Sequence, residues 1–427
     1  MFYIRENYYV LIAFVVMMLI SVTATAMEIK PNARLDMQYT DNAKKVAENE
    51  KKDLIVTTSV GTGIKEDTGP IQLDINGSIK YLDYTQDTFD NQTYFNLDAT
   101  ANWEMLKDRL GWKVQDFYTQ QSINSLDPDT PDNTADSNVF TFGPNINYAI
   151  SGRQSLTIKP EFRRYDYEHQ LIDNQQNSLD VSWKYHLFRT VEVGMRGGVN
   201  KVYYDDQQFT DNDFRSVHFT LAGTRPSYDL SAEIGLTQVK KKDVTYARGL
   251  TGNMSWLFNI TGYSSMRTYI ATDLTDANNS LLNASINPDE IDFSNDQISA
   301  EILRNSIVRL AYQRNNVTLN SRVWIELRKQ NSVYPVGRDV QTVGLEFNHP
   351  LTATLSSGVN ARYSSIELID GDRKDAEYSI GGSLNYRFSR KILGAVNVKY
   401  YDKDSSIDTE DFDEMIVLVS VIYGYGG

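Results

Sequence analysis

From residue 27 onward the chain repeats one pattern, an alternation of apolar and polar residues with a period of two. In 377–402, "EYSIGGSLNYRFSRKILGAVNVKYYD", Tyr378, Ile380, Leu384, Tyr386 and Phe388 alternate with Glu377, Ser379, Ser383, Asn385 and Arg387. After the break "SRK", Ile392, Val396, Val398 and Tyr400 resume against Asn397 and Lys399. Such a period belongs to strands, whose successive side chains point to opposite faces. One face here is apolar and has to be covered, by a second sheet in a soluble sandwich or by lipid in a membrane barrel.

The same alternation fills "PNARLDMQYT", "IQLDINGSIKY", "FNLDATANWEM", "SLDVSWKYHLF", "YDLSAEIGL" and "NVTLNSRVWIELRK". It predicts twenty strands, with eighteen as the alternative; 296–313 is kept as one strand although "RNS" at 304–306 could be a turn. About 20 residues per strand and connector suits strands of roughly 10–14 residues crossing a thin bilayer at a tilt. Two packed sheets rarely run to so many strands, whereas closure removes the edges and satisfies the backbone groups that lipid cannot. The expected fold is therefore all-β, a transmembrane up-and-down antiparallel β-barrel. A secreted all-β protein or a β-propeller is the competing reading, but no blade repeat is present.

Connector lengths alternate as well. Short ones fall at 107–109, 151–154, 225–227 and 389–391, and long ones near 122–136, 169–176, 203–212, 273–295, 329–337, 366–374 and 403–411. Short turns on one side and long loops on the other are the habit of outer-membrane barrels. Tyr81, Trp103, Tyr386, Phe388, Tyr400 and Tyr423 stand near strand ends, where interfacial aromatic girdles belong.

Residues 1–26 read as a signal peptide: "YYVLIAFVVMMLISVTATA" follows Arg5 and closes on the small-x-small site Ala24-Thr25-Ala26. Residues 27–427 then form a single barrel domain. With no cysteine there is no disulfide, no thiol chemistry and no lipoprotein anchor. A net charge of −14 argues against a nucleic-acid partner, and a mean hydropathy of −0.44 is too low for a bundle of membrane helices.

Catalytic signatures are weak, and the reading is that the chain is not an enzyme. The four histidines are His169, His186, His218 and His349, with no nucleophile elbow beside them; "GYSSM" at 262–266 misses the Gly-x-Ser-x-Gly pattern. No zinc-ligand spacing stands out. The acidic run "DKDSSIDTEDFDE" at 402–414 carries Asp402, Asp404, Asp408, Glu410 and Asp413, but Ile407 stands where a calcium loop needs glycine, so it reads as a solvated loop. No metal and no cofactor is expected.

The polar phase assigns Arg34, Lys80, Glu104, Lys184, His186, Glu192, Arg196, Glu233, Arg322, Glu326, Arg362, Glu377, Arg387 and Lys399 to the lumen. Both signs occur. They would tune the selectivity of a hydrated channel, or else form a network that braces the wall. The longest connector, 273–295, is the candidate constriction.

The stretches "PNARLDMQYTDN", "DLIVTTSVGTGI", "GPIQLDINGSIKYLDYTQD" and "NLDATANWEMLKDRLGWKVQDFY" resemble the start of the PEP-CTERM-system-associated outer-membrane proteins. These are grouped with β-barrel porins encoded near exopolysaccharide genes. "LEFNHPLTATLSSGVNARYSS" and "SIGGSLNYRFSRKILGAVNVKYYDKD" extend the likeness into the C-terminal half, although the end, "VSVIYGYGG", lacks the usual terminal aromatic residue. The resemblance implies an outer-membrane location and a porin-like channel associated with exopolysaccharide export, and brings no established site residues. The alternative is a non-conducting structural or docking barrel of an export or surface assembly. The partners implied are outer-membrane lipid, the barrel-assembly machinery, polysaccharide and periplasmic export components.

Overall fold

The computed structural model describes residues 27–424 apart from 125, 169–171, 243, 277–301, 333–336 and 370–372. The signal-peptide reading of 1–26, His169 and most of the 273–295 connector lie outside the described residues.

The strands are β1 (Glu28–Thr40), β2 (Asp53–Glu66), β3 (Ile71–Tyr84), β4 (Gln92–Leu106), β5 (Leu110–Ser122), β6 (Thr134–Ser151) and β7 (Gln154–Tyr167). There follow β8 (Asn174–Phe188), β9 (Val191–Tyr204), β10 (Asn212–Arg225), β11 (Tyr228–Lys241), β12 (Val244–Thr261), β13 (Ser264–Asp276) and β14 (Ile302–Asn315). The last are β15 (Asn320–Ser332), β16 (Arg338–Pro350), β17 (Leu355–Leu368), β18 (Lys374–Arg387), β19 (Ile392–Ser405) and β20 (Phe412–Tyr423). Each pairs antiparallel with its chain neighbours, and β1 pairs with β20 from Ala33↔Tyr423 to Thr40↔Ile416. The sheet is closed into a barrel of twenty strands, as the alternation predicts. The "RNS" at 304–306 is not a turn: Arg304 pairs with both Leu274 and Asn331, so β14 runs through it. Among the described residues no helix is long and apolar enough to cross a membrane; the strands do the crossing.

Both ends of the barrel sequence lie at the short-turn end, where 189–190 joins β8 to β9 and 226–227 joins β10 to β11. Longer connectors, such as 41–52 and 123–133, crowd the opposite end. One connection on that side, 242–243, is short; Lys242 takes it in the left-handed region at φ 47°.

Antiparallel partners share a face, so the register sorts the two phases of the whole barrel. Leu35, Met37, Val60, Ile79 and Phe95 belong to one phase and are 39–55% exposed. In a closed barrel the exposed apolar face is the outer one, against lipid. Trp103, Tyr386, Phe388 and Tyr423 ring its short-turn edge and Tyr39, Tyr81 and Tyr400 the other, giving two aromatic bands. Some of the buried apolar groups form two clusters near the long-loop end: Ala135, Val139, Tyr165, Tyr167 and Ile172 in one, and Val202, Phe214, Val239, Leu274 and Ile302 in the other.

Candidate functional site

On the inner face of β7 to β14 a cavity of about 650 Å³ is lined by Arg163, Asp180, Arg196, His218, Glu233 and Asp273, among others. The register is what gathers them. Arg196 stands opposite His218 across β9 and β10, and Glu233 opposite Thr220 across β10 and β11. Arg196 Nε donates to Asp180 Oδ1 at 2.8 Å, and its Nη1 lies 3.9 Å from Glu233 Oε2. Asn253 Nδ2 donates to Glu233 Oε1 at 2.7 Å. His218 Nε2 shares a hydrogen bond of 2.8 Å with Thr251 Oγ1, which is bonded to Thr237 Oγ1 at 2.7 Å. Two buried acceptors of the lining, Asn200 Oδ1 and Asn305 Oδ1, have no hydrogen-bond partner among the described residues. The wall here can meet a solute with charge of either sign and with open acceptors for hydroxyl groups.

Other residues of the polar phase assemble into separate groups. Lys184 Nζ lies 2.9 Å and His186 Nδ1 3.6 Å from the carboxylate of Glu192, toward the short-turn end. On the wall of β14 and β15, Glu326 is held between two arginines: Arg309 Nε donates to Oε2 at 2.7 Å and Arg328 Nη2 lies 3.0 Å from Oε1. Arg322 lies over the Trp324 ring, 5.2 Å from its centre, and Lys399 over Tyr401 at 5.7 Å. Tyr401 hydrogen-bonds Glu377, and Arg362 Nε donates to Ser364 Oγ at 3.2 Å. Arg34 bonds Asp36 at 2.7 Å and Ser420 at 3.3 Å. Glu104 serves a turn instead, accepting the Asp108 N–H at 2.9 Å. Lys80 stays exposed opposite Ser59 and Tyr94, and Arg387 stands beside the turn after β18. Arg309, Arg328, Asp180 and Asp273 were not singled out by sequence reasoning. Arg328 had a signal available, since it follows Glu326 by two residues on the same face.

The acidic run is divided by the fold. Asp402 and Asp404 lie within β19 and Asp413 within β20, leaving Asp408 and Glu410 in a short 3-10 turn. Among the described residues no set of three or more acids or histidines is placed to hold a metal ion.

At the long-loop end, residues 123–133 reach across the mouth. Lys403 Nζ donates to the Leu126 carbonyl at 2.9 Å, Arg373 Nη2 to the same oxygen at 3.2 Å, and Lys45 Nζ to the Asp129 carbonyl at 2.8 Å. Burial opposes the charge of Arg373, but its hydrogen bond to Asp375 and the attraction of Asp375, Glu410 and Asp127 raise its pKa above the usual guanidinium value. The loop is also folded on itself: Asn133 Nδ2 donates to the carbonyls of Asn124 at 2.8 Å and Pro128 at 3.0 Å, while Oδ1 accepts the Asn124 N–H at 2.9 Å.

Residues 297–424 match the model of the family described as "Putative beta-barrel porin 2". No curated protein sequence matches the chain. Among solved structures it is similar to the ferric citrate transporter FecA in its unliganded form, with 8% identity and a TM-score of 0.51 over 94% of this chain and 79% of that one. It is also similar to OccK1 (OpdK) of Pseudomonas aeruginosa, with 8% identity and a TM-score of 0.43 over 92% of this chain and 98% of that one. For OccAB4 of Acinetobacter baumannii the identity is 12% and the TM-score 0.42, over 93% and 98%. At these identities the likeness to FecA is one of fold. Together, the closed barrel, its apolar outer band and the match of its C-terminal strands make this chain a porin-like β-barrel of the outer membrane.

Proposed function

We propose that the barrel is a hydrated channel for saccharide chains and works in exopolysaccharide export, with the inward charged residues named above as its selective wall. The observation that carries this reading is the inner cavity of about 650 Å³, where Arg196, Asp180, Glu233 and His218 face open amide acceptors. Sugars present hydroxyl groups to such acceptors and flat apolar faces to aromatic rings. Tyr269, Trp324 and Tyr401 stand in the same phase as the charged groups. Barrels of 16–18 strands already hold an aqueous channel, so a wall of this circumference leaves room for solvent.

A second reading, a non-conducting structural or docking barrel, draws on the loop of residues 123–133 tied across the mouth. Current blockade separates the two. Neutral and acidic oligosaccharides should interrupt the current of the reconstituted barrel. Arg196→Ala should weaken the acidic blocker by roughly tenfold or more, since hydrogen bonds to charged groups contribute about 1.5–3 kcal/mol. A steady current that no saccharide interrupts would contradict a saccharide channel.

A further inference from the structure

The wall of the barrel forks. Pairing between β12 and β13 runs from Thr261↔Ser264 only as far as Gly252↔Thr272. Beyond it, among the described residues, 244–251 of β12 pair with β11 alone, while 273–276 of β13 stay with β14. Leu274 and Ile302, from the diverging pair, pack on Val202, Phe214 and Val239 of β9, β10 and β11. Those three belong to the inner phase, so the upper ends of β13 and β14 lean into the lumen. The crossing is tight: the Arg304 guanidinium occupies the place that a Cβ on Gly249 would take, and a Cβ on Gly252 would meet the Glu233 carbonyl.

Outside this fork lies a second cavity of about 860 Å³, lined by Phe219, Leu221, Ile234, Leu250, Ile270 and Val308. All six belong to the lipid-facing phase and are 41–62% exposed. The apolar groove and the polar inner cavity share Glu233, Thr251, Gly252, Asn253, Ala271 and Thr272. The shared residues include the last paired rungs of β12 and β13, Gly252↔Thr272 and Asn253↔Ala271, just below the fork. Each volume falls in the roughly 300–1,000 Å³ range of small-molecule sites. Irregular backbone at membrane depth is tolerated where it lines a cavity rather than lipid, and Leu236↔Leu250 places the fork level with the apolar band.

We propose that the fork between β12 and β13 is a lateral binding site for a single-chain amphiphile, its tail in the outer groove and its hydroxyl-bearing head in the inner cavity. The tail meets the six apolar side chains named above, in a lining that also holds the Lys329–Asp339 ion pair. The head meets Glu233, Asn253 and the open acceptors Asn200 Oδ1 and Asn305 Oδ1. Ordinary lipid around the barrel would instead keep its head groups at the two aromatic bands. The site does not depend on passage of a saccharide through the lumen.

The test uses the full barrel in lipid nanodiscs and a palmitoyl lysophospholipid with a photoreactive diazirine on its head group. Irradiation should label the peptides that carry Ser216 and Thr237, inside the barrel. Ala271→Trp, which fills the junction of the two cavities, should lower that labelling on the order of tenfold and leave labelling at the aromatic bands unchanged, a tenfold change being about 1.4 kcal/mol of binding. Should that variant fail to assemble, Leu250→Asn, which puts an amide into the apolar groove, is expected to lower it in the same way. Label confined to the aromatic bands of the unaltered protein, or interior label that neither substitution lowers, would overturn the proposal.

Discussion

Glu326 is buried between two guanidinium groups, and its neighbours keep all three charges paired. The side chains of Arg309, Glu326 and Arg328 are 10%, 7% and 4% exposed, respectively. Withdrawing such ions from water is repaid only while every partner is present; removing one leaves an uncompensated charge at a cost of about 3–5 kcal/mol. Glu326→Gln leaves two like charges facing each other. It should therefore lower the unfolding free energy of the detergent-solubilised barrel by an amount within that range, read from a lowered denaturation midpoint. An unchanged midpoint would mean that lumenal water, not Glu326, compensates the two arginines. Two of the three residues are legible in the sequence, because Glu326 and Arg328 share the polar phase of one strand. Arg309 is not, because its place beside Glu326 is set by the Arg309↔Glu326 register across the hairpin. A period of two gives the face of a strand but not its offset from the next.

At the scale of elements, the loop of residues 123–133 bonds across the mouth and the wall forks beyond Gly252. Within the loop, Asn133 is the side chain that bonds several stretches of backbone at once. Asn133→Ala removes the amide that ties the Asn124 and Pro128 carbonyls, so the loop should open while the wall, which Asn133 does not bond, stays folded. Proteinase K is then expected to cut within 124–132 in the variant and not in the unaltered protein. Equal resistance would assign the loop's order to Lys45, Arg373 and Lys403 instead. The sequence shows this connector only as long and polar. Its crossing of the mouth depends on Arg373 and Lys403, hundreds of positions away, and the constriction expected at 273–295 lies mostly outside the described residues. The fork is hidden for a similar reason: Leu274 and Ile302 read as ordinary strand residues, and their inward lean appears only in their contacts with Val202, Phe214 and Val239.

For the molecule as a whole, strand number, direction and facing are legible because lipid imposes one rule on every strand, apolar side outward, and that rule repeats along the chain. What the lumen carries has no such repeat. The polar residues are free to vary within their phase, and only the register between neighbouring strands brings β7 to β14 around one cavity and the charges of β14 and β15 together. A barrel built in this way, wet inside and apolar outside, should conduct. The most direct measurement is single-channel current from the purified, refolded, heat-modifiable barrel in a planar bilayer. The account predicts discrete, reproducible conductance steps; a correctly folded barrel that inserts and never passes current would contradict it.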